Sequence, residues 1–308
     1  MALTPRLSAI LSIMGGLFVI IINDAITKWL SGDYPVHQIV LVRSLVAIPI
    51  TVLILAPLEG SRIQWRTTRP GLNIARGVLL AVANLGYFLG LAALPLADTM
   101  TLFFIAPLLI TALSVPFLGE QVGWRRWLAV LAGMVGVIII LRPGVSVLAA
   151  AGVLPVIGAL AYASMQTIAR RLGTAERAST MALYLQVTFM LIAVVIGLCI
   201  GDGRFGGTGD PSLDFLLRAW RWPTGNHLGL MIIAGICIGL GGYLITQAYR
   251  IGPASIVAPF EYTALPWGIL LGFAFWGELP SAFGWLGMLL IVGGGLYVLY
   301  REQQGATT

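Results

Sequence analysis

Ten stretches of about 20 mostly apolar residues follow one another along the chain, and they leave few ways for it to fold. A helix of about 20 residues crosses the roughly 30 Å hydrocarbon core of a bilayer. Because lipid offers no partner for backbone N–H and C=O groups, each stretch must satisfy its own backbone as a helix. The sequence therefore predicts an all-α polytopic membrane protein with ten transmembrane helices, at about residues 8–30, 35–57, 72–93, 96–118, 124–142, 148–172, 178–200, 226–249, 254–276 and 281–300.

Composition excludes a soluble domain. Only 10% of the 308 residues are charged and 58% are hydrophobic, and the mean hydropathy is +0.95. A soluble protein carries about 25% charged residues, so this chain has too little charge to cover a surface that faces water. The apolar stretches are also too long for the strands of a membrane barrel. The first stretch continues to Trp29, which predicts a retained helix rather than a cleaved signal peptide.

Lys and Arg residues near the helix ends predict the orientation. With the N-terminus in the cytoplasm, twelve of them fall on the inner side and five on the outer side. Short cytoplasmic loops carry an excess of Lys and Arg, so this bias predicts that both termini lie in the cytoplasm and that the helices span the cell inner (plasma) membrane. The net charge of +6 follows from the same bias, and no nucleic acid partner is needed to explain it.

The sequence contains one unit twice. Residues in helices 4 and 5 recur 158 positions later in helices 9 and 10, and residues in helix 1 recur 142 positions later in helix 6. A proline, a tryptophan and a Gly-Glu pair keep their spacing in both copies, so a chance match between two apolar sequences does not explain the similarity. The matched pairs are Pro95/Pro253, Ala106/Ala264, Gly119/Gly277, Glu120/Glu278, Trp127/Trp285, Leu131/Leu289 and Gly136/Gly294, and upstream Gly16/Gly158, Ile26/Ile168, Lys28/Arg170 and Leu30/Leu172.

The number of helices in each unit determines their relative orientation. Five is odd, so the second unit enters the membrane from the opposite side. We expect a first five-helix repeat at 1–143, a second and inverted repeat at 144–301, and a short cytoplasmic tail at 302–308. Many secondary transporters combine two inverted repeats around a central site that opens to each side in turn.

Several of these motifs resemble the EamA branch of the drug/metabolite transporter superfamily. They are LPLADTMTLFFIAPLL and LGE in the first unit, and GPASIVAPFEYTALPW, WGELP and GGGLYVLYRE in the second. The resemblance covers nearly the whole chain and implies ten helices in two inverted repeats that move small organic metabolites, with amino acid exporters as a prominent group. The membrane glutamate that small multidrug relatives carry in their first helix has no counterpart here; the nearest carboxylate is Asp24.

The ionisable residues predicted at the depth of the bilayer are Asp24, Arg43, Glu261 and Asp98, the last of them at the start of helix 4. Such residues are costly in lipid and usually face a cavity or a partner. Glu261 lies between Pro259 and Pro266, which interrupt the helix, so this segment is predicted to form a cavity wall. Glu261 would there attract an amine or accept a proton, and Arg43 would bind a carboxylate.

Each of these residues also has a structural interpretation. Glu261 could form an internal ion pair with Arg43 or Arg76. Asp24 precedes Lys28 by four residues, so the two side chains share a helix face and could neutralise each other. In the repeat, Asp24 aligns with Gln166, which favours a position on the central axis.

Uncharged polar residues complete the predicted site. Amides and phenols among apolar walls suit a medium-sized amphipathic solute, although they also bond across helices. The predicted substrate-binding residues are Asp24, Arg43, Asn84, Tyr87, Tyr162, Gln166, Tyr243, Gln247, Glu261 and Tyr262, and the predicted hinge or gate residues are Pro107, Pro259 and Pro266.

The function expected from the sequence is secondary transport of small metabolites. The main expectation is an exporter of amino acids, aromatic or otherwise apolar. The alternatives are uptake of a nucleoside-like or vitamin-like solute, and a channel or lipid flippase. No H-E-x-x-H motif or nucleotide-binding loop occurs, and the two histidines are far apart in sequence, so neither an enzyme, a cofactor nor a metal site is expected. The expected partners are the solute, the lipid bilayer and a candidate coupling proton.

Overall fold

The computed structural model describes residues 5–58, 67–119, 123–141, 148–173, 176–252 and 257–305. Throughout these ranges the regular structure is helical, and they contain no β-strand. The helices of the first half are α1 Pro5–Leu30, α2 Val36–Ile50, α3 Pro70–Ala93, α4 Leu96–Phe103, α5 Ala106–Leu118 and α6 Trp124–Leu141. Those of the second half are α7 Leu148–Leu172, α8 Ala178–Ile200, α9 Pro211–Leu217, α10 Gly225–Ile251, α11 Ala264–Trp276 and α12 Ala282–Gly305.

Two helices are locally irregular at a proline. After Pro49, α2 continues through a π-helical turn at Thr51–Leu55 into a last turn at Ala56–Leu58. Before α11, a 3-10 helix covers Ala258–Thr263 and contains Pro259. A proline removes one backbone donor and displaces a carbonyl, so a change of helix type at these positions has a physical cause.

Seven helices among the described residues are long and apolar enough to cross a membrane. They are Leu7–Leu30, Val36–Leu58, Pro70–Ala93, Asp98–Leu118, Ala151–Leu172, Ala178–Ile200 and Gly225–Ile251, and each falls on a predicted span. The other three predicted spans fall on helices or helix segments with a shorter apolar stretch. These are α6 with 18 residues, α11 with 13 residues and the apolar segment Ala282–Gly294 of α12.

The repeat in the sequence is also a repeat in the backbone. Helices α5 and α11 both contain 13 residues and begin at Ala106 and Ala264, which the sequence repeat matches. Both end at a glycine in the left-handed conformation, Gly119 with φ 70° and Gly277 with φ 66°. A residue with a Cβ rarely adopts this φ, so glycine stops both helices in the same way.

Glycines bring pairs of long helices into direct backbone contact. A Cβ atom added to Gly16 of α1 would lie 3.1 Å from the carbonyl oxygen of Gly241 in α10. A Cβ atom added to Gly158 of α7 would lie 2.8 Å from the carbonyl oxygen of Ala83 in α3. Gly16 and Gly158 are equivalent in the repeat. The first long helix of each half therefore packs against the third long helix of the other half through the same type of glycine contact.

Polar contacts define two ends of the helix bundle. At one, which we call the α9 end, Lys28 Nζ lies 2.5 Å from Glu278 Oε2 and Arg218 Nη1 donates to the carbonyl oxygen of Ser31 at 2.7 Å. At the other, the Glu176 end, the backbone N–H of Thr68 donates to Glu176 Oε1 at 3.0 Å. Helix α1 therefore ends at the α9 end, whereas α7 ends at the Glu176 end.

The segment between α8 and α10 covers part of the α9 end. Asp210 caps α9 by accepting a hydrogen bond from the backbone N–H of Leu213 at 2.9 Å, and Ser212 Oγ donates to the carbonyl oxygen of Leu89 in α3 at 2.6 Å. Hydrogen bonds from the backbone and the hydroxyl of Thr208 hold the pKa of Asp214 below its usual range. This segment is therefore an ordered cover, stabilised by its own carboxylates.

Candidate functional site

A cavity of about 180 Å³ lies where the two halves meet. Side chains from α1, α2, α3, α4, α7, α8, α10 and the 3-10 segment line it, together with Ala264 at the start of α11. Most of the lining is apolar. Helices α6 and α12 contact each other and contribute none of the described lining residues. The charged groups and most of the other polar groups collect in two corners of the cavity, one from each half of the chain.

The first polar corner, which we call the Arg43 corner, consists of Asn23, Asp24, Arg43 and Asn84. Arg43 is 1% exposed, and its two terminal nitrogens donate to Asn23 Oδ1 and Asn84 Oδ1, each at 3.2 Å. Asn23 Nδ2 in turn donates to Asp24 Oδ1 at 3.0 Å. All four residues belong to α1, α2 and α3, so this corner is built by the first half alone.

The charges of the Arg43 corner balance each other. Asp24 lies close enough to Arg43 for electrostatic attraction and also interacts with the hydroxyl of Tyr87. The guanidinium carbon of Arg43 lies 5.0 Å from the ring centre of Phe88 and 5.5 Å from that of Phe189. Arg43 is therefore enclosed by amides and rings beside its counter-charge, which is how a buried cation is stabilised.

The suggested neutralisation of Asp24 by Lys28 is not what the structure shows. Lys28 pairs with Glu278 and donates to the carbonyl oxygen of Leu94 at 3.4 Å. Lys28 lies at the α9 end, one turn beyond Asp24, where its long side chain reaches a carboxylate 250 residues away in sequence. The carboxylate of Asp24 instead interacts with Asn23, Tyr87 and Arg43.

The second polar corner, the Glu261 corner, consists of Tyr162, Tyr249 and Glu261. Glu261 is 2% exposed, and its Oε1 accepts hydrogen bonds from the hydroxyls of Tyr162, at 3.0 Å, and Tyr249. Gln166 adds a side-chain hydrogen bond to Tyr162. These residues lie on α7, α10 and the 3-10 segment, so the second half alone builds this corner.

The internal ion pair suggested for Glu261 is absent from the described residues. The terminal nitrogens of Arg43 are directed to Asn23 and Asn84. Arg76 Nε donates to the carbonyl oxygen of Met165 at 3.4 Å, and its two terminal nitrogens have no hydrogen-bond partner. Two phenols take the place that the sequence assigned to an arginine.

A row of aromatic rings connects the two corners. The ring centres of Phe88 and Tyr87 are 5.5 Å apart, those of Tyr87 and Phe103 are 5.1 Å apart, and those of Phe103 and Tyr162 are 5.4 Å apart. The first two pairs meet edge to face and the third is tilted. Such a row presents both ring faces and ring edges to a solute, which suits a planar aromatic group.

The cavity brings together seven of the ten predicted binding residues. These are Asp24, Arg43, Asn84, Tyr87, Tyr162, Gln166 and Glu261. The remaining three, Tyr243, Gln247 and Tyr262, are not among the lining residues. Gln247 Oε1 accepts from Arg250 Nη1 at 3.2 Å, and the ring centre of Tyr262 lies 6.0 Å from that of Phe104.

The three predicted hinge prolines occupy helix starts. Pro107 is buried in the first turn of α5, just after the break at Phe104 and Ile105. Pro259 lies in the first turn of the 3-10 segment, and Pro266 is the third residue of α11. Their motion stays a prediction.

Four polar lining residues, and one partner of the lining, lie outside the ten predicted binding residues. Asn23, Ser44, Gln186 and Thr246 line the cavity, and Tyr249 donates to Glu261 from outside the lining. Asn23 could have been found because it directly precedes Asp24 within an apolar run. Tyr249 lies close to the end of α10, where a tyrosine is ordinarily read as an interfacial anchor, so no pattern identified it.

The described residues contain no group of three or more His, Cys, Asp or Glu side chains that could hold a metal ion. His37 Nδ1 accepts a hydrogen bond from Trp220 Nε1 at 2.6 Å, and His227 Nδ1 lies 3.1 Å from the hydroxyl of Tyr34. Both rings thus hold the α9 end together.

The sequence profile of the EamA-like transporter family matches residues 7–142 and again residues 150–300. The family unit is therefore present twice, in the two halves whose helices build the two corners.

Curated relatives carry transporter names. The chain is 32% identical over 239 residues to a riboflavin transporter of Rhizobium johnstonii, covering 78% of this chain and 73% of the relative. It is 30% identical to a riboflavin transporter of Vibrio cholerae, covering 94% and 91% of the two chains. It is 24% identical to an S-adenosylmethionine uptake transporter of Rickettsia bellii, covering 92% and 90%. These names indicate a transporter of a small molecule and not an enzyme.

The fold is similar to that of a protein whose crystal structure has been solved. The two chains superpose with a TM-score of 0.68 at 18% sequence identity, over 95% of this chain and 98% of the other. The likeness supports the helical architecture and says nothing about the solute.

Proposed function

Because the chain belongs to the EamA-like transporter family, we propose that it is a secondary carrier for the uptake of a riboflavin-like solute across the plasma membrane. The observation that carries this proposal is the row of rings from Phe88 to Tyr162 between two polar corners. Riboflavin combines a flat, uncharged ring system with hydroxyl and imide groups, so its ring system matches the row and its polar groups match the corners.

The relatives favour this solute over the amino acids expected from the sequence. Two relatives at 30% identity or more carry the name of a riboflavin transporter. The Arg43 corner also supports the choice, because its guanidinium is already enclosed by Asn23, Asn84 and two rings. A substrate carboxylate would have to displace these partners. Vitamin-like uptake, the alternative in the sequence analysis, is therefore preferred to amino acid export.

The proposed mechanism is alternating access between two inverted halves. Ten helices would span the membrane, with both termini in the cytoplasm, the α9 end outside and the Glu176 end inside. The opposite directions of α1 and α7 support the inversion, because equivalent helices end at opposite ends of the bundle. Rocking of one half against the other at the glycine contacts would expose the cavity to each side in turn.

Transport in liposomes tests the proposal. The purified protein is reconstituted into liposomes loaded with unlabelled riboflavin, and entry of labelled riboflavin is followed. S-adenosylmethionine, tryptophan and uridine serve as competitors. Saturable exchange that only unlabelled riboflavin suppresses supports the proposal. If labelled tryptophan, used in place of labelled riboflavin, were the only solute exchanged, the function would return to amino acids. Flux that does not saturate would indicate a channel.

Two matched variants locate the exchange in the cavity. Asn84→Leu changes a lining residue, whereas Leu45→Ala changes a side chain that is 57% exposed on the outside of the bundle. We expect Asn84→Leu to raise the half-saturating riboflavin concentration about tenfold, the effect of roughly one lost buried hydrogen bond. Leu45→Ala should behave like the parent protein.

Chemical labelling tests the orientation. Cys199 and Cys237 are first replaced by serine, and single cysteines are then placed at Thr208 in the cover or at Thr68 near Glu176. A membrane-impermeant maleimide added to intact cells should label only the cysteine at 208. Labelling at 68, or at both positions, would contradict the proposed sides of the bundle.

A further inference from the structure

We propose that Glu261 is the site of a transported proton and that this proton drives uptake. The inference rests on the proposed carrier function and adds the coupling ion, which neither the family nor the names of the relatives specify. It is carried by the surroundings of one carboxylate: Glu261 is 2% exposed, lines the cavity and accepts hydrogen bonds from two phenols.

A carboxylate without a cation cannot stay charged in such a place at low cost. Burying an isolated charge costs many kcal/mol, and proteins avoid it by pairing the charge or by binding a proton. Among the described residues no Lys, Arg or His lies within 4.0 Å of Glu261 as an ion pair. The buried position of Glu261 seen here therefore favours the protonated acid.

The two hydrogen bonds fit both protonation states. Tyr162 and Tyr249 donate to the same oxygen, Oε1. A carboxylic acid accepts two hydrogen bonds at its carbonyl oxygen, and a carboxylate accepts the same two bonds. A proton can thus bind or leave at Oε2 without any rearrangement of the tyrosines. The phenols position the group, and the water that enters an open cavity supplies or removes the proton.

The groups that face Glu261 do not offer another proton acceptor of similar strength. Tyr162 projects from α7, Tyr249 from α10 and Tyr262 from the same 3-10 segment, and all three are phenols. Gln166 of α7 is an amide. Helices α1, α5, α11 and α12 also pack against this segment, and among the described residues none of their charged side chains forms a hydrogen bond or an ion pair with Glu261. The charges of Asp24 and Arg43, elsewhere in the cavity, balance each other.

The transport cycle conserves protons. When the cavity opens outside, Glu261 takes one proton from water there and the solute binds beside it. The loaded cavity closes with no net charge at this corner. When it opens inside, the solute leaves and Glu261 Oε2 releases the proton to cytoplasmic water. The empty carrier then returns to the outside without the proton, and because the uncompensated carboxylate is unfavourable in a closed state, this return is the step that limits the rate of net uptake.

Uptake driven by a pH gradient tests the inference. Proteoliposomes with a neutral interior are diluted into acidic or neutral buffer, while potassium and valinomycin hold the membrane potential at zero. Labelled riboflavin uptake is expressed as the ratio of the acidic to the neutral condition. We expect a ratio of about ten or more for the parent protein, since a gradient of one pH unit is equivalent to a tenfold concentration ratio, and a ratio near one for Glu261→Gln.

A second cavity carboxylate supplies the matched control. Asp24→Asn removes a charge from the same cavity, so it also lowers transport, but it should keep the dependence on the pH gradient. Loss of that dependence in both variants would overturn the assignment to Glu261. Stimulation of the parent protein by a sodium gradient, with no effect of pH, would replace the proton by sodium and would equally overturn it.

The failure of this inference is distinguishable from failure of the proposed function. Exchange of riboflavin at equal pH on both sides needs a carrier and no driving gradient. Exchange without any response to the pH gradient would refute the proton alone. Absence of exchange for every solute tested would refute the carrier function from which the inference starts.

Discussion

The Arg43 corner and the Glu261 corner occupy one cavity, yet they solve the burial of charge in different ways. The Arg43 corner contains a cation and an anion that lie on neighbouring helices and share Asn23. The Glu261 corner contains one carboxylate and two phenols. The first corner carries its own counter-charge, while the second has none among the described residues.

The difference shows that the two halves share part of their backbone but not the chemistry of their corners. Helices α5 and α11 match residue by residue in their bounds, yet the residue 158 positions before Glu261 is Phe103, and the one 142 positions after Asp24 is Gln166. One half can hold a fixed dipolar network, and the other a group that changes charge. A carrier that is driven by a proton gradient, as proposed above, needs both a constant recognition surface and a group that responds to the gradient.

The largest expected effect comes from removing the cation of the Arg43 corner. Arg43→Met leaves Asp24 buried without a counter-charge and deprives Asn23 and Asn84 of their donor. Breaking a buried pair in this way costs about 3–5 kcal/mol. We expect a strongly reduced yield and a lower unfolding temperature in detergent, and partial recovery in the double variant Asp24→Asn/Arg43→Met.

Arg76→Met is the matched control for that prediction. Arg76 is 0% exposed and is therefore fully buried like Arg43, but its terminal nitrogens have no hydrogen-bond partner among the described residues. Replacing an unpartnered buried charge by a group of similar volume costs little or stabilises. Equal losses for the two arginines would show that the Arg43 network has no special importance.

The next effect tests whether the two halves really share a backbone device. Gly16→Ala and Gly158→Ala each place a methyl group against a carbonyl oxygen of the partner helix. We expect both to lower stability by a similar amount, about 1–3 kcal/mol, as overpacking does. Thermal unfolding measures this loss.

Gly229→Ala supplies the comparison on α10. A Cβ atom added to Gly229 would have no described atom within 4 Å outside the nearby backbone of its own helix. The substitution should stabilise by up to about 1 kcal/mol through helix propensity alone. A large difference between the losses at Gly16 and Gly158 would mean that the two interfaces are not equivalent.

A smaller effect is expected at the ring row that connects the corners. Phe103→Leu keeps an apolar side chain but removes the ring between Tyr87 and Tyr162. Loss of aromatic contacts with a planar solute is worth about 0.5–1.5 kcal/mol, so the half-saturating riboflavin concentration should rise about three- to tenfold. The maximal exchange rate should change less, and a rate that falls while affinity stays constant would argue against contact with the solute.

The smallest effect is the change in stability from Glu261→Gln. The amide oxygen of Gln can accept both phenol hydrogen bonds, and no cation loses its partner. We expect unfolding in detergent to change by less than about 1 kcal/mol, although the response to the pH gradient is lost. A loss of stability as large as that of Arg43→Met would indicate that Glu261 has a counter-charge after all. The two corners would then bury their charges in the same way.

The helices and the repeat could be predicted from the sequence because a membrane span requires a long apolar stretch and the two halves keep matched residues. Apolar length alone located the spans, and matched residues such as Gly119 and Gly277 revealed the repeat. The break before α11 was also predicted, because Pro259 and Pro266 flank a carboxylate in an apolar run. The bounds of the 3-10 segment were not, since they depend on packing against α1 and α5.

The side-chain partners could be predicted only in part. Sequence spacing placed Lys28 beside Asp24, but the contact that forms joins residues 250 positions apart. On α10, Tyr243 and Gln247 share a face, whereas the lining comes from Ile238, Gly242, Ile245 and Thr246. Because α10 is apolar on all sides, no periodicity in its sequence distinguishes the face toward the cavity from the face toward lipid.

The contacts of Gly16 and Gly158 have a consequence for how such a chain tolerates change. Where main chain lies this close to main chain, the approach of the two halves requires glycine at positions 16 and 158. Residues elsewhere on the same helices are then free to vary without loosening the joint. Substitutions around the cavity can in this way change which solute is bound, while the contacts between the two halves stay the same.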